Sequence, residues 1–299
     1  MTKYKTIHRY NQHYKNFNFS DLTPQAEEEY LDLTIELDAD GKVISESKFT
    51  TDCELEERST FVYGPHGKLV EHELFYVVDD AREKRVLTRN EKGYLLSEVK
   101  YYGDEEGSRT NYEYDQKDNI VAIINLDEEG VFVSREEVKY DDKGVIVERV
   151  MIDSDNKVVS KTTFNYLSAT QIEEIETDAK GQLTSKTMNT FDDKGNELST
   201  VQTNPQGKLI SAISNVYDDR GNIVEKIYKD FYSKKVKNEY DDLNRLIKQE
   251  IYDNTGMLVK RNAYVYDDEG NVLEEQNYEM DSSRGGRDRH YGTRYEYLQ

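Results

Sequence analysis

Aspartates gathered in short turns are the first residues of this chain whose type and spacing suggest chemistry. Residues 38–41, DADG, and residues 153–156, DSDN, each bring two carboxylates into four positions. A calcium ion needs several such oxygens, and neither turn has the bidentate glutamate that an EF-hand places further along. Because Asp also starts turns by bonding its own backbone, we predict turn-forming carboxylates and no metal site. Calcium bound along one edge is the alternative.

Histidine and cysteine are too scattered to predict a zinc centre, which needs several ligands close together. The residues in question are His8, His13, Cys53, His66, His72 and His290. The chain also lacks a nucleophile elbow and a Gly-rich phosphate loop, and none of its carboxylate pairs is typical of a glycosidase. We therefore predict surface histidines, no catalytic residues, no cofactor and no enzymatic activity. The alternative is an enzyme site within the irregular residues 1–113.

Tyrosine supplies the main candidate binding residues, since the chain has 24 Tyr and no Trp. Seven of them recur at one position of a repeat, and we call this set the tyrosine ladder: Tyr63, Tyr114, Tyr140, Tyr166, Tyr217, Tyr240 and Tyr266. Stacked once per two strands, they would lie about 9.5 Å apart along a sheet. Such a row could stack on sugars, as in cell-wall-binding repeats, or simply pack across strands and stabilise the sheet.

The element that positions the tyrosine ladder is a β-hairpin turn. Residues 217–224 read YDDRGNIV, and near-copies begin at Tyr140, Phe191 and Tyr266. The aromatic residue ends a strand, Asp starts the turn, Gly takes the left-handed position, and β-branched residues begin the next strand. The sequence therefore predicts an array of hairpins.

The spacing of these turns predicts the fold class. One series of turns recurs about every 26 residues and a second series lies between them, which gives about ten units and about twenty strands. Only 35% of residues are apolar and 34% are charged, so a dry sandwich core is disfavoured. Because open sheets beyond about ten strands curl, we predict an all-β antiparallel meander curled into a spiral or open shell.

The two ends of the chain depart from the repeat. Residues 1–30 are predicted to form an N-terminal cap with a short helix that starts at Thr23 and Pro24, and residues 31–299 one continuous repeat domain. The turn at residues 229–233 shortens its unit, which predicts a tighter or bulged connection. The basic stretch at residues 282–290 is expected to fold back on the acidic chain, followed by a closing strand with Tyr291, Tyr295 and Tyr297.

The turn motif resembles the YD repeat of the RHS/YD-repeat family. The residues that match it are Tyr114-Asp115, Tyr140-Asp141, Tyr217-Asp218, Tyr240-Asp241-Asp242-Leu243-Asn244-Arg245-Leu246, Tyr252-Asp253 and Tyr266-Asp267. The resemblance implies a long antiparallel sheet that spirals into a shell, which in that family encloses a toxin or forms extracellular adhesion parts. This chain is shorter and ends on its last repeat without a toxin domain.

Charge and hydropathy set the expected partners and location. The net charge of −21 and the pI near 4.7 argue against nucleic acid or an anionic membrane as a partner. Without a long apolar run or a leader-like N-terminus, we expect a cytoplasmic protein and no membrane partner. We predict a non-enzymatic scaffold that binds another protein through a concave tyrosine-bearing face or the acidic turn edges. A carbohydrate-binding module that uses the tyrosine ladder is the alternative.

Overall fold

The computed structural model describes residues 4–14, 26–230, 232–280 and 289–299. The regular structure in these residues is all β-strand, in 22 strands that belong to one sheet. Within the described ranges, no helix has the length and apolarity that crossing a membrane requires.

The strands follow one another at short intervals along the chain. The first eleven are β1 Thr6–His13, β2 Glu28–Leu37, β3 Val43–Phe49, β4 Leu55–Tyr63, β5 Leu69–Tyr76, β6 Ala81–Arg89, β7 Leu95–Tyr102, β8 Glu105–Tyr114, β9 Ile120–Leu126, β10 Phe132–Tyr140 and β11 Ile146–Ile152. The others are β12 Val158–Ser168, β13 Gln171–Asp178, β14 Leu183–Phe191, β15 Glu197–Thr203, β16 Leu209–Tyr217, β17 Ile223–Lys229, β18 Lys234–Tyr240, β19 Leu246–Tyr252, β20 Leu258–Tyr266, β21 Val272–Glu279 and β22 Arg289–Leu298.

Most hairpins share one turn, and its geometry follows from the residues that the sequence singled out. In the turn after β10, the carboxylate of Asp141 accepts the backbone N–H groups of Lys143 and Val145, both at 2.9 Å. Gly144 has φ of 81°, a left-handed value that costs glycine little. The pairing shifts by one residue beside Tyr140, as expected for a three-residue loop closed by a bulge. The predicted hairpin array is therefore confirmed.

The chain packs as two compact units. The first comprises Met1–Glu56, Asn196–Ser199 and Ser211–Gln299, and the second comprises Glu57–Gly195 and Thr200–Ile210. In the second unit, β4 to β14 run as an antiparallel meander in which each strand pairs with the next.

In the first unit, β16 to β22 continue in the same way, and β2 pairs with β3. Strand β1 lies between β2 and β22, and all eight of its residues pair antiparallel with both neighbours. The closing strand predicted at Tyr291, Tyr295 and Tyr297 is therefore β22.

The prediction of a spiral or open shell was wrong. The pairing of β1 with β22 joins the first strand of the sheet to the last, so the sheet is closed on itself rather than open-ended. Closure gives partners to backbone groups that a free edge would leave unpaired. The sequence interpretation missed it because it kept residues 1–30 outside the sheet.

The expected N-terminal cap needs a second correction. Thr6–His13 is a strand of the sheet rather than part of a cap, and Glu28 and Glu29, which were expected in the helix, begin β2. Residues 23–25 of that expected helix lie outside the described residues. The basic stretch at 282–288 also lies outside them.

The two faces of the sheet differ in character within each unit. We call the face that bears the tyrosine ladder the Tyr face and the opposite one the charged face. On the charged face, carboxylates pair with cations of neighbouring strands, as in Lys139–Glu148 at 2.7 Å and Arg261–Glu250 at 2.8 Å. Buried side chains are more often polar than apolar among the described residues, so neither unit has a dry core.

Candidate functional site

The acidic turns hold their carboxylates within the turn itself. Asp153 accepts the N–H groups of Asp155 and Lys157, and Asp38 does the same for Asp40 and Lys42, each at 2.9 Å. These backbone bonds keep the pKa of the Asp38 carboxyl below its usual 3.8. Among the described residues, no group of three or more His, Cys, Asp or Glu is placed to hold a metal ion.

The tyrosine ladder has a shared bonding pattern. Each of six ladder hydroxyls donates to a main-chain carbonyl of the preceding strand. The bonds are Tyr114 to Leu95 at 2.7 Å, Tyr140 to Ile120 at 2.9 Å, Tyr166 to Ile146 at 3.0 Å, Tyr217 to Glu197 at 2.8 Å, Tyr240 to Ile223 at 3.1 Å and Tyr266 to Leu246 at 2.7 Å. Tyr63, the seventh member, ends β4.

The carbonyls that accept these bonds lie just beyond the strand pairing. Between β9 and β10, the register ends with Glu137 opposite Ala122, two residues short of Ile120. Between β19 and β20 it ends with Ala263 opposite Lys248, again two residues short of the acceptor. Each hydroxyl therefore supplies the hydrogen bond that a neighbouring strand no longer provides where the pairing of the two strands ends. The sequence pattern found these tyrosines but not this structural role.

A pocket of about 540 Å³ lies on the Tyr face of the first unit, across β16 to β19. We call it the Tyr228 pocket. Its lining consists of Tyr217, Gly221, Asn222, Ile223, Lys226, Tyr228, Lys234, Val236, Asn238, Tyr240, Gln249 and Ile251. The structure thus brings two ladder residues, Tyr217 and Tyr240, into one concave site.

Two lysines lie over the aromatic ring that gives this pocket its name. The Nζ atom of Lys226 lies 5.2 Å from the centre of the Tyr228 ring, and that of Lys234 lies 4.7 Å from it. Lys234 is the cross-strand partner of Tyr228, and Lys226 is two residues before it on the same face. Both distances suit cation–π attraction. Within the described part of the chain, no Asp or Glu lines the pocket, which is unusual for a chain of net charge −21.

Side-chain amides form the neutral part of the same face. Gln249 donates to Asn238 at 3.1 Å, and Asn262 donates to Gln249 at 3.3 Å. Asn215, paired with Lys226 across β16 and β17, is 8% exposed. Its Nδ2 donates to the carbonyl of Glu197 at 2.8 Å, while its Oδ1 has no partner among the described residues. The pocket therefore combines aromatic, cationic and amide groups.

The Tyr228 pocket coincides with the irregular turn noted in the sequence. β18 has seven residues, where β16 and β20 have nine each. The β17–β18 pair also runs without a register shift, so the connection is tighter rather than bulged. Here Lys226 and Lys234 both lie over the ring of Tyr228. The sequence marked this turn as irregular but did not identify Lys226, Tyr228 or Lys234.

A second cluster lies where the sheet closes. The His290 ring is stacked between Tyr14 at 3.9 Å and Tyr278 at 3.8 Å, measured between ring centres. His290 is 6% exposed, so its interpretation as a surface histidine was wrong. Burial, reinforced by the nearby Glu274 carboxylate, raises the pKa of Tyr14. The stack spans β21, β22 and the end of β1 and packs the closing strands together.

Ion pairing strengthens the same closure. The guanidinium of Arg294 on β22 bonds both oxygens of Glu29 on β2, at 2.6 and 3.0 Å. These bonds lower the pKa of the Glu29 carboxyl, and Gln12 of the intervening β1 donates to the same carboxylate at 2.8 Å. The cluster therefore links three strands and is best explained by sheet closure.

Comparison with known proteins identifies no family. No protein-family model matches the chain, and no curated protein matches it. Among solved structures, a porin-like protein from Bacteroides uniformis is similar over 99% of this chain and 98% of its own, with 12% identity and a TM-score of 0.34.

Two further solved structures cover most of this chain but are much longer. The TcdB2-TccC3-Cdc42 structure matches 92% of this chain at 9% identity and a TM-score of 0.17, and TcdB2-TccC3 without its hypervariable C-terminal region matches 84% at 8% and 0.16. The chain spans 21% and 22% of those two chains. Similarity at this level does not assign a function.

The expected cytoplasmic location and the expected absence of a membrane partner are contradicted. Both rested on the lack of an apolar run and of a leader, which concern helices and export signals. The first strand of the sheet pairs with the last, and a closed sheet of β-strands can span a membrane without any apolar helix, so the lack of an apolar run says nothing about location in this fold. Both expectations are withdrawn.

Proposed function

We propose that this chain is a non-enzymatic binding module whose Tyr228 pocket takes a carbohydrate. The observation that carries the proposal is the grouping of aromatic rings and side-chain amides in one open pocket. Tyr228 and Tyr240 offer apolar ring faces on which a sugar can stack, and Asn238 and Gln249 offer donors and acceptors for hydroxyl groups. A pocket of about 540 Å³ lies within the range of roughly 300–1,000 Å³ typical of small-molecule sites.

The remainder of the tyrosine ladder is assigned a structural role in this proposal. The hydroxyls of Tyr114, Tyr140, Tyr166 and Tyr266 are bonded to main-chain carbonyls, so a ligand that competed for them would break bonds that hold the strand ends. Tyr228 lies outside the ladder, and its hydroxyl is not among those that complete the strand pairing. The proposal therefore narrows the binding surface from seven repeated residues to one pocket.

A glycan array followed by calorimetry tests this function. The wild-type protein should bind at least one oligosaccharide, and Tyr228→Ala should abolish that binding while the protein stays folded. Tyr102→Ala is the matched control, because Tyr102 is an exposed tyrosine of the second unit, outside the pocket. Absence of any glycan ligand, or equal binding by Tyr228→Ala, would overturn the proposal.

A protein-binding scaffold is the second candidate, and exposed aliphatic side chains in the second unit support it. Val131, Val133, Val158 and Val159 are all exposed, with Val131 at 55%. Val133, Val158 and Val159 lie at the starts of β10 and β12, which flank β11, and Val131 directly precedes β10. The turns beside them carry exposed acidic residues, among them Glu129. An apolar patch rimmed by acidic groups suits a basic protein with apolar side chains.

An affinity pull-down from native lysate, read by mass spectrometry, tests the scaffold. A basic protein should be enriched by the wild type and by Tyr228→Ala and lost from the double variant Val133→Ser, Val159→Ser. Retention by the double variant would contradict this candidate, and so would enrichment of acidic proteins only.

The turn motif also supports a proposal of kinship with RHS/YD-repeat proteins. The Tyr-Asp-x-x-Gly pattern occupies the same place in successive hairpins, at Tyr140 and Tyr217 among others. The closed sheet departs from the spiral shell that the resemblance implied. A repeat profile built from residues 114–270 should match several consecutive YD repeats, and a match to none would overturn the kinship.

A further inference from the structure

We infer that the carbohydrate bound in the Tyr228 pocket carries an anionic group, a carboxylate or a sulfate, which is held between Lys226 and Lys234. This inference rests on the proposed function and specifies the ligand class of the same site. It concerns short acidic oligosaccharides rather than neutral sugars.

The position of the two ammonium groups is the first support. Both lie over one ring, at 5.2 and 4.7 Å from its centre, and they come from neighbouring strands. Like charges held over the same ring repel each other. A bound anion between them would remove that repulsion and add charge-assisted hydrogen bonds.

The lack of an internal counter-charge is the second support. Lys235, the sequence neighbour of Lys234, pairs with Glu225 at 3.4 Å on the charged face. Among the described residues, neither Lys226 nor Lys234 forms such a pair, and no carboxylate lines the pocket. On a chain with 61 acidic and 40 basic residues, a pocket lined only by cations and neutral groups suits an anion.

The neutral groups of the pocket favour a sugar over a simple inorganic anion. Asn238 and Gln249 are bonded to each other and can still contact hydroxyl groups with their remaining donor and acceptor capacity. A ligand with hydroxyls next to its acidic group could bond both the lysine ammonium groups and these side-chain amides.

The charge of the whole chain limits the length of the ligand. The net charge of −21 repels polyanions over distances up to about a Debye length, which is roughly 8 Å at physiological salt. Two lysines can neutralise a single local charge but not a long row of charges. The structure therefore favours an oligosaccharide of a few residues over an acidic polymer.

Isothermal titration with matched sugars tests the inference. The probes are a short oligogalacturonate, its fully methyl-esterified form and a sulfated oligosaccharide of similar length. The acid should bind about tenfold more tightly than its ester, a ratio that corresponds to about 1.4 kcal/mol. Tighter binding of the sulfated probe would identify sulfate as the preferred anion, and binding of the acid alone would identify carboxylate.

Charge-removing variants distinguish failure of this inference from failure of the proposed function. Lys226→Gln and Lys234→Gln should each reduce the preference for the acid over the ester, while Lys235→Gln on the opposite face should leave it unchanged. If acid and ester bind equally and both bindings are lost in Tyr228→Ala, the anion inference is wrong and the binding function stands. If no glycan binds the wild type, both are wrong.

Discussion

Individual turn residues differ in how well they suit the backbone they occupy. Most turns place Gly in the left-handed position, but Cys53, Asp118, Asn156 and Asn244 hold it with φ between 59° and 69°. Asn and Asp tolerate this conformation through their short polar side chains. Cys53 has no such adaptation, so its turn carries strain that glycine would remove.

We predict that Cys53→Gly stabilises the protein by about 0.5–1 kcal/mol. Relief of a left-handed penalty of about 1–2 kcal/mol exceeds the extra unfolded-state entropy of glycine, about 0.5–1 kcal/mol. Urea unfolding measures the change, with Cys53→Ser as the control that keeps the strain. A lower midpoint for the glycine variant would contradict the assignment of strain.

We predict that Tyr140→Phe destabilises the protein by about 1 kcal/mol, because it leaves the Ile120 carbonyl without its donor. Chemical denaturation compares it with Tyr102→Phe, which changes an exposed tyrosine and should have no effect. Equal stabilities of the wild type and Tyr140→Phe would show that water replaces the hydroxyl fully.

Hairpins are also joined to their neighbours through their turns. Arg220 donates to the carbonyls of Asp241 and Asp242, both at 3.2 Å, and Arg245 donates to that of Asp267 at 3.0 Å. In the second unit, Lys117 reaches the Asp142 carbonyl at 3.1 Å. Nearest-neighbour bonds of this kind stabilise repeat proteins step by step, so damage to one turn should be felt in the adjacent hairpin.

We predict that Gly221→Val lowers the melting temperature. Gly221 has φ of 88°, and no atom lies within 4 Å of where a Cβ would be. The cost is therefore conformational, about 2 kcal/mol or more for a β-branched residue. Asp219→Val in the same turn is the control and should change little. Unchanged melting of Gly221→Val would mean that the turn register is wrong.

Closure of the sheet brings the backbone of β22 very close to its neighbours at Gly292. A Cβ at Gly292 would lie 2.8 Å from the backbone oxygen of Glu275 and 3.2 Å from the Tyr14 hydroxyl. Glycine therefore allows the strands to approach where β21, β22 and β1 meet. At Gly64 the corresponding contact, also at 2.8 Å, is with a side-chain atom of Val70, which can rotate away.

We predict that Gly292→Ala destabilises the protein by about 1–3 kcal/mol, as overpacking against backbone does, and speeds amide hydrogen exchange in β1. Gly64→Ala is the matched control and should cost less. Slow exchange of β1 in Gly292→Ala, at the wild-type rate, would show that closure does not depend on this contact.

Acid and alkali should each destabilise the whole molecule. The Asn222 side chain, followed by backbone N–H groups, lowers the pKa of Asp218 below 3.8, so this stabilisation is complete above that pH and lost as pH falls through the lowered value. Burial raises the pKa of Tyr140 and Tyr266 above 10.0, so their contribution is complete below pH 10 and lost as pH rises further.

The melting temperature, measured from pH 2 to 12, should therefore show a plateau. It should fall on the acid side as Asp218 is protonated, below its usual pKa of 3.8, and on the alkaline side as Tyr140 and Tyr266 lose their protons, above their usual pKa of 10.0. Asp218→Asn should keep the turn, because Asn90 and Asn204 already occupy this position in other turns. It should also remove part of the acid dependence. An acid limb unchanged in this variant would mean that other carboxylates dominate.

Local patterns in the chain were sufficient for the hairpins. Turn chemistry acts within about five residues, as between Asp141 and Val145, so the repeat predicted the strands, their antiparallel order and the ladder positions. The same local information placed the irregular turn beside β18. These features depend on neighbours in sequence, and the structure confirms the strands and their antiparallel order.

Closure and the pocket depend instead on residues that no local pattern relates. Thr6 pairs with Leu298, and β1 lacks the repeat motif, so the first 30 residues gave no sign of joining the sheet. The Tyr228 pocket forms because two strands bring Lys226 and Lys234 to one ring. Backbone hydrogen bonds can join any two strand edges, including those of strands far apart in sequence. Only the tertiary structure determines which of these edges pair.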